Sequence, residues 1–142
     1  LAEAATDLRA QAQAHNMLGV LARNRGEAET AVERLERSLE LGRELGDAPA
    51  QTAALNNLAL ARRDAGDLPT ALELTEKALA LCVGYGDRHR EAALENNLAD
   101  LHHAAGDEVE AMAHLKRAVA IFREVGADEA TRLPEIWKLV SW

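Results

Sequence analysis

The sequence predicts an all-α fold of stacked helix pairs, and three observations predict it. Apolar residues make up 48% of the chain but aromatics only 3%. Ala and Leu therefore supply the core, which suits closely packed helices better than a β-sandwich. Only three prolines interrupt 142 residues. Above all, one pattern returns every 40 residues: Gly26, Gly66 and Gly106; Gly46, Gly86 and Gly126; Asn16, Asn56 and Asn96; Leu18, Leu58 and Leu98; Ala31, Ala71 and Ala111. A repeat of this length is a helix hairpin, which cannot bury its apolar stripe alone and must stack on its neighbours. No segment carries a strand signal.

The register divides the chain into three units, 7–46, 47–86 and 87–126. Residues 1–6 align with the end of a unit and read as the tail of a preceding helix. The first helix of each pair is predicted over Leu8–Asn24, Gln51–Ala65 and Arg90–Ala105, and the second over Ala28–Leu45, Pro69–Val83 and Glu108–Val125. Gly26, Gly66 and Gly106 make the turn within each pair, because glycine enters a left-handed backbone at little cost. Glu27, Asp67 and Asp107 follow, where an acidic group suits a helix N-terminus. Pro69 sits in a first turn, where its missing N–H is harmless. Gly46, Gly86 and Gly126 end the second helices. In the middle unit Leu55, Leu58 and Ala59 are predicted to face Ala71, Leu72, Ala78, Leu79 and Leu81. The Ala31, Ala71 and Ala111 column marks the closest approach of two helices, where a larger side chain overpacks. Segment 127–142 departs from the pattern. Its Leu133–Trp142 is read as a capping helix that lays Ile136, Trp137 and Val140 over the end of the third unit.

The formal net charge of −8 and pI near 5.1 argue against nucleic-acid binding, which needs a basic footprint. The charge is spread evenly over the units. No apolar run approaches the roughly 18 residues of a membrane span, and no signal-peptide pattern opens the chain. A lone cysteine, Cys82, excludes an internal disulfide framework. The expectation is a protein of the cytoplasm without membrane attachment. The first residue is Leu rather than Met, so the chain is expected to be a piece of a longer protein.

The repeating columns resemble the tetratricopeptide repeat: a Leu followed by a small residue, then Gly, then Ala, then Ala-Leu. Here these are Leu18-Gly19, Gly26, Ala31 and Ser38-Leu39; Leu58-Ala59, Gly66, Ala71 and Ala78-Leu79; Leu98-Ala99, Gly106, Ala111 and Ala118-Val119. The resemblance covers about 120 residues and implies a right-handed α-solenoid. The unit departs from the family in its 40-residue length, in lacking a closing Pro, and at the aromatic positions, which carry His15, Leu55 and Glu95, then Ala22, Arg62 and His102. Asn56–Ala59 and Asn96–Ala99 are similar to the kinesin-light-chain style of repeat, also found in large bacterial regulators. The ending Pro134–Trp142 is similar to the tails of multidomain bacterial signalling proteins. That likeness implies that any catalytic or DNA-binding part lies outside this segment.

In such an array the first helices line the concave face. Positions i, i+4 and i+7 share a helix stripe, which gives Asn16, Val20 and Arg23; Asn56, Leu60 and Arg63; and Asn96, Asp100 and His103, with Asn57 and Asn97 alongside. An amide both donates and accepts, so it can pair with the backbone of an extended peptide of any sequence. Arg23 and Arg63, with His103, are placed to grip carboxylates. The resemblance supports this reading, since related repeats hold peptide backbone with groove asparagines. The alternative is that the asparagines bond to adjacent helices and fix repeat geometry.

No metal or cofactor is expected. His102 and His103 are adjacent and point about 100° apart on a helix. His114 lies on the next helix, and no Cys pair, His-x₃-His or His-Glu-x-x-His occurs. Cys82 reads as a packed thiol without a base partner. The alternating charges of Arg34, Glu36, Arg37, Glu40, Arg43 and Glu44, like Glu73, Glu76 and Lys77, read as a solvated face. There is no phosphate-binding glycine loop and no nucleophile elbow. The sequence thus points to a non-catalytic module that docks a protein or peptide in its groove. Self-association through an apolar end near Leu1–Ala5 and Leu8, and small-ligand sensing, are the other readings.

Overall fold

A computed structural model describes residues 2–126, all helices and tight turns. The predicted capping segment 127–142 lies outside the described residues. The order is α1 (Ala2–Asn24), α2 (Ala28–Leu45), α3 (Ala48–Asp64), α4 (Leu68–Tyr85), α5 (Arg88–Ala104) and α6 (Glu108–Gly126). The pairs α1–α2, α3–α4 and α5–α6 are the three hairpins, and α2 packs on α3 as α4 packs on α5. It is an all-α repeat fold.

Two kinds of stop set these boundaries. Gly26, Gly66 and Gly106 take φ of 77°, 83° and 84°, the left-handed turn inside each hairpin. Gly46 and Gly86 do the same between hairpins. Starts are set by aspartate. Asp47, Asp67 and Asp87 each accept from the backbone N–H three residues on, at 3.0, 3.2 and 3.1 Å. Thr70 is the main reason the Asp67 carboxyl is held below its ordinary value, through its side chain and its backbone N–H. Asp47 and Asp87 explain why α3 and α5 begin at Ala48 and Arg88, earlier than the predicted Gln51 and Arg90. Glu27 makes no side-chain cap; a glutamate is one methylene too long for the short loop an aspartate closes.

α1 also differs from expectation. Residues 2–6 continue into it without a break, rather than ending a separate helix at Asp7. The position that carries Gly46 and Gly86 in the later units is Thr6, and without glycine nothing stops the helix.

The core follows the columns. Ala31, Ala71 and Ala111 are fully buried where paired helices touch. Leu35, Leu39, Leu55, Leu58, Ala61, Ala78, Cys82 and Leu94 form the main cluster, with Leu79 and Leu81 half-buried at its edge. Gly19 faces Leu35 so closely that an added Cβ falls 2.5 Å from its Cγ. Cys82 is fully buried, its Sγ donating to the Asp87 carbonyl at 3.2 Å, and burial pushes its thiol pKa up. Ser38 is buried too, and its Oγ donates to the Ala12 carbonyl at 2.8 Å. Among the described residues no helix is long and apolar enough to cross a membrane.

Candidate functional site

α1, α3 and α5 lie side by side and are stitched by side chains one repeat plus one residue apart. Asn57 Nδ2 donates to Asn16 Oδ1 at 2.9 Å, and Asn97 Nδ2 donates to Asn56 Oδ1 at 2.8 Å. Each unit presents an acceptor (Asn16, Asn56) to a donor on the next (Asn57, Asn97), so the amides form a ladder across the face. Asn96 holds the acceptor column in the third unit. The alternative weighed for the asparagines is thus what the geometry contains. The ladder leaves part of each amide unspent: an amide offers two N–H donors and two lone pairs, and each rung uses one of each.

The charged candidates also have internal partners. Arg23 Nε meets Asp64 Oδ2 at 2.6 Å. Arg63 pairs with Asp100, and His103 Nδ1 lies 2.8 Å from Glu108 Oε1. Arg23 and Arg63 were expected to hold carboxylates of a ligand; here they hold those of the next first helix. Leu60 is half-buried on the same helix.

The hollow in this face runs the other way along the helices. A cavity of about 480 Å³ is lined by Asn56, Asn57 and Asn97 together with Thr52, His89 and Arg90. A second, of about 230 Å³, is lined by Asn16, Arg9, Gln13 and Asp47, and it shares Ala53 and Arg90 with the first. The two make one trough from α1 to α5 with the amide ladder along one edge and Arg90 at the junction. Arg90 Nη1 donates to the Pro49 carbonyl and to the Tyr85 hydroxyl, both at 3.3 Å. Arg23 and Asp64 line a separate hollow at the opposite end of the helices, beside Gly26. Arg63, Asp100 and His103 line neither cavity of the trough. Arg9, Gln13, His89 and Arg90 lie off the predicted stripe, which runs from the asparagines toward the helix C-termini. Stepping one and two turns back from Asn16 reaches Gln13 and Arg9, and two turns back from Asn96 and Asn97 reaches His89 and Arg90.

A tetratricopeptide-repeat family model matches residues 10–82 and again 50–124. The chain belongs to the tetratricopeptide-repeat family. Solved structures agree in fold. The repeat domain of Arabidopsis FLU superposes with a TM-score of 0.76 at 18% identity, over 82% of this chain and 98% of that one. TPR-like repeats from Podosopora anserina, described as those of a kinesin light chain, give 0.71 at 25% identity over 82% of this chain. BtubC from P. vanneervenii gives 0.78 at 21% identity over 92%. The chain spans 57% and 53% of the last two. No curated protein matches it significantly. Tetratricopeptide repeats in general mediate protein–protein interaction and act as non-catalytic scaffolds, and this array is similar to the kinesin-light-chain repeats from Podosopora anserina.

Proposed function

We propose that this tetratricopeptide array docks an extended segment of a partner protein in the trough across α1, α3 and α5, as the interaction arm of a larger regulatory protein of the bacterial multidomain type. The observation that carries this is the pair of hollows, adjoining at Ala53 and Arg90, that Asn16, Asn56, Asn57 and Asn97 line. The ladder holds the amides in register while their remaining N–H groups and lone pairs serve a peptide backbone. Arg90 supplies the positive charge at the junction and favours an acidic residue there. Arg23, Arg63, Asp100 and His103 brace the helices rather than touch the partner.

The test is capture from a cell extract with the immobilised chain, followed by identification of the bound protein and anisotropy measurements on its fragments. Asn97→Asp and Arg90→Glu are expected to abolish capture, and Arg63→Glu to leave it intact. Capture lost with Arg63→Glu and retained with Arg90→Glu would overturn the assignment.

A second reading, pairing of two copies, rests on α1. Leu18 and Leu21 are 43% and 48% exposed, whereas Leu58 and Leu98 in the column of Leu18 are 3% and 1% exposed. Leu58 clusters with Leu35 and Leu39 of the preceding unit's second helix, so the α1 face fits a helix of that kind. Among the described residues of α1 the large apolar side chains left exposed are Leu18, Leu21 and Met17, while Leu8 is half-buried. Sedimentation velocity at tens of micromolar decides this; a monomer unaffected by Leu18→Lys removes it.

A further inference from the structure

Away from the trough, the third hairpin carries a cluster that the other two lack. His102 in the last turn of α5, and Glu110 and His114 one turn apart on α6, each present a ligand atom, and the three atoms lie within 4.8 Å of one another. The His102 and His114 rings stack with centroids 5.2 Å apart, inclined by 7°. Behind them Glu95, 6% exposed, sets Oε2 2.6 Å from His114 Nδ1. The Asp107 carboxylate stands 3.8 Å from His102 Nδ1. In the middle hairpin the corresponding four positions are Leu55, Arg62, Thr70 and Leu74, and there Leu55 and Leu74 belong to the apolar core. The third hairpin replaces all four together, with Glu95, His102, Glu110 and His114. A buried carboxylate in a slot that two leucines fill next door is costly to desolvate and calls for positive charge beside it.

We propose that His102, Glu110 and His114 bind one divalent transition-metal ion of the zinc class, with Glu95 as the positioning carboxylate. Two imidazole nitrogens and one carboxylate oxygen select such ions over magnesium or calcium. Glu95 at Nδ1 leaves Nε2 of His114 for the metal, and a carboxylate so placed fixes the tautomer and the orientation of the ring. Three carboxylates (Glu95, Asp107 and Glu110) stand around the rings, and the Arg117 guanidinium sets Nη1 3.2 Å from His114 Nδ1. Zinc–nitrogen bonds of about 2.0 Å put neighbouring ligand atoms roughly 3.3 Å apart. The donors therefore close by up to about 1.5 Å on binding. Glu110, exposed on the first turn of α6, swings in, and the two rings turn out of their stack so that their lone pairs converge. Three protein ligands leave the fourth tetrahedral position to water or to a side chain from another protein.

The experiment is calorimetric titration of the 142-residue chain with zinc chloride, alongside thermal melts and the visible spectrum of the cobalt(II) form. The expected result is one ion per chain, a raised Tm, and cobalt bands of tetrahedral intensity. Glu110→Gln is expected to weaken binding by at least about tenfold, and Glu95→Gln by roughly 10–100-fold. His102→Ala abolishes it and His103→Ala leaves it unchanged. Because Glu110 is exposed, its variant keeps the metal-free melting temperature and separates loss of a ligand from loss of fold. No uptake by the intact chain, tighter binding of calcium than of zinc, or affinity untouched by both Glu110→Gln and His102→Ala would overturn the proposal.

Discussion

Replacing Asn56 with alanine removes the acceptor of a 2.8 Å amide–amide hydrogen bond from Asn97. Such a bond contributes about 0.5–1.5 kcal/mol net. Both residues are half-buried, so water reaches the abandoned amide and the cost falls toward the lower end. Alanine is also the better helix former by about 0.5 kcal/mol. The two effects nearly cancel, and the midpoint of urea unfolding for the single variant is expected to move little. The rung becomes visible in a double-mutant cycle, because propensity terms subtract out. Asn56→Ala, Asn97→Ala and the double variant should give a coupling of about 0.5–1.5 kcal/mol. With a urea slope of about 1–3 kcal/mol per molar, that corresponds to a non-additive midpoint shift of a few tenths molar or more. The Asn16–Asn57 rung, in the neighbouring hairpin pair, should show its own coupling of similar size. A coupling indistinguishable from zero in both cycles would refute the ladder as a source of stability, leaving the amides free for a partner.

Three other outcomes follow from the packing. Leu35→Ala, at a fully buried position, is expected to cost about 2–5 kcal/mol, and Leu21→Ala on the exposed α1 face less than about 0.5 kcal/mol, measured by the same unfolding curves. Cys82, buried and with its thiol pKa raised, should resist iodoacetamide at pH 8 in the native chain and react at once in urea; rapid native labelling would contradict its packing. The Asp67 pKa is lower folded than unfolded, so its contribution is complete above the ordinary aspartate range near pH 4 and disappears as pH falls through the lowered value. Asp67→Asn should therefore lower stability near neutrality and flatten the acid limb of the stability–pH curve below about pH 4, so that variant and parent converge in acid.

The hairpins were legible because glycine punctuates them at a fixed interval and the alanine columns mark closest approach. The helix starts were less so: Asp47 and Asp87 cap α3 and α5, but their signal sits beside a glycine stop and merges with the turn. The site was half legible. A column shows which residues share a register; it does not show which of them meet across units. The rungs join positions 41 apart, not 40, so each amide meets the neighbour of its own column mate. Asp64 had no column to announce it, since Asn24 and Ala104 stand at its place. The pairing of Glu95 with His114 was hidden for a similar reason: the hairpin turn brings together residues 19 apart that no helical spacing relates.

Asn56 and Asn57 are consecutive, so the middle hairpin carries both halves of the joint: Asn56 receives and Asn57 gives. Inserting a second copy of the forty residues from Asp47 to Gly86 directly after Gly86 would therefore meet a matching neighbour on either side. Tandem duplication can lengthen this protein in steps with the amide joint intact at each new boundary, and the His102, Glu110 and His114 cluster would move forty residues along the chain.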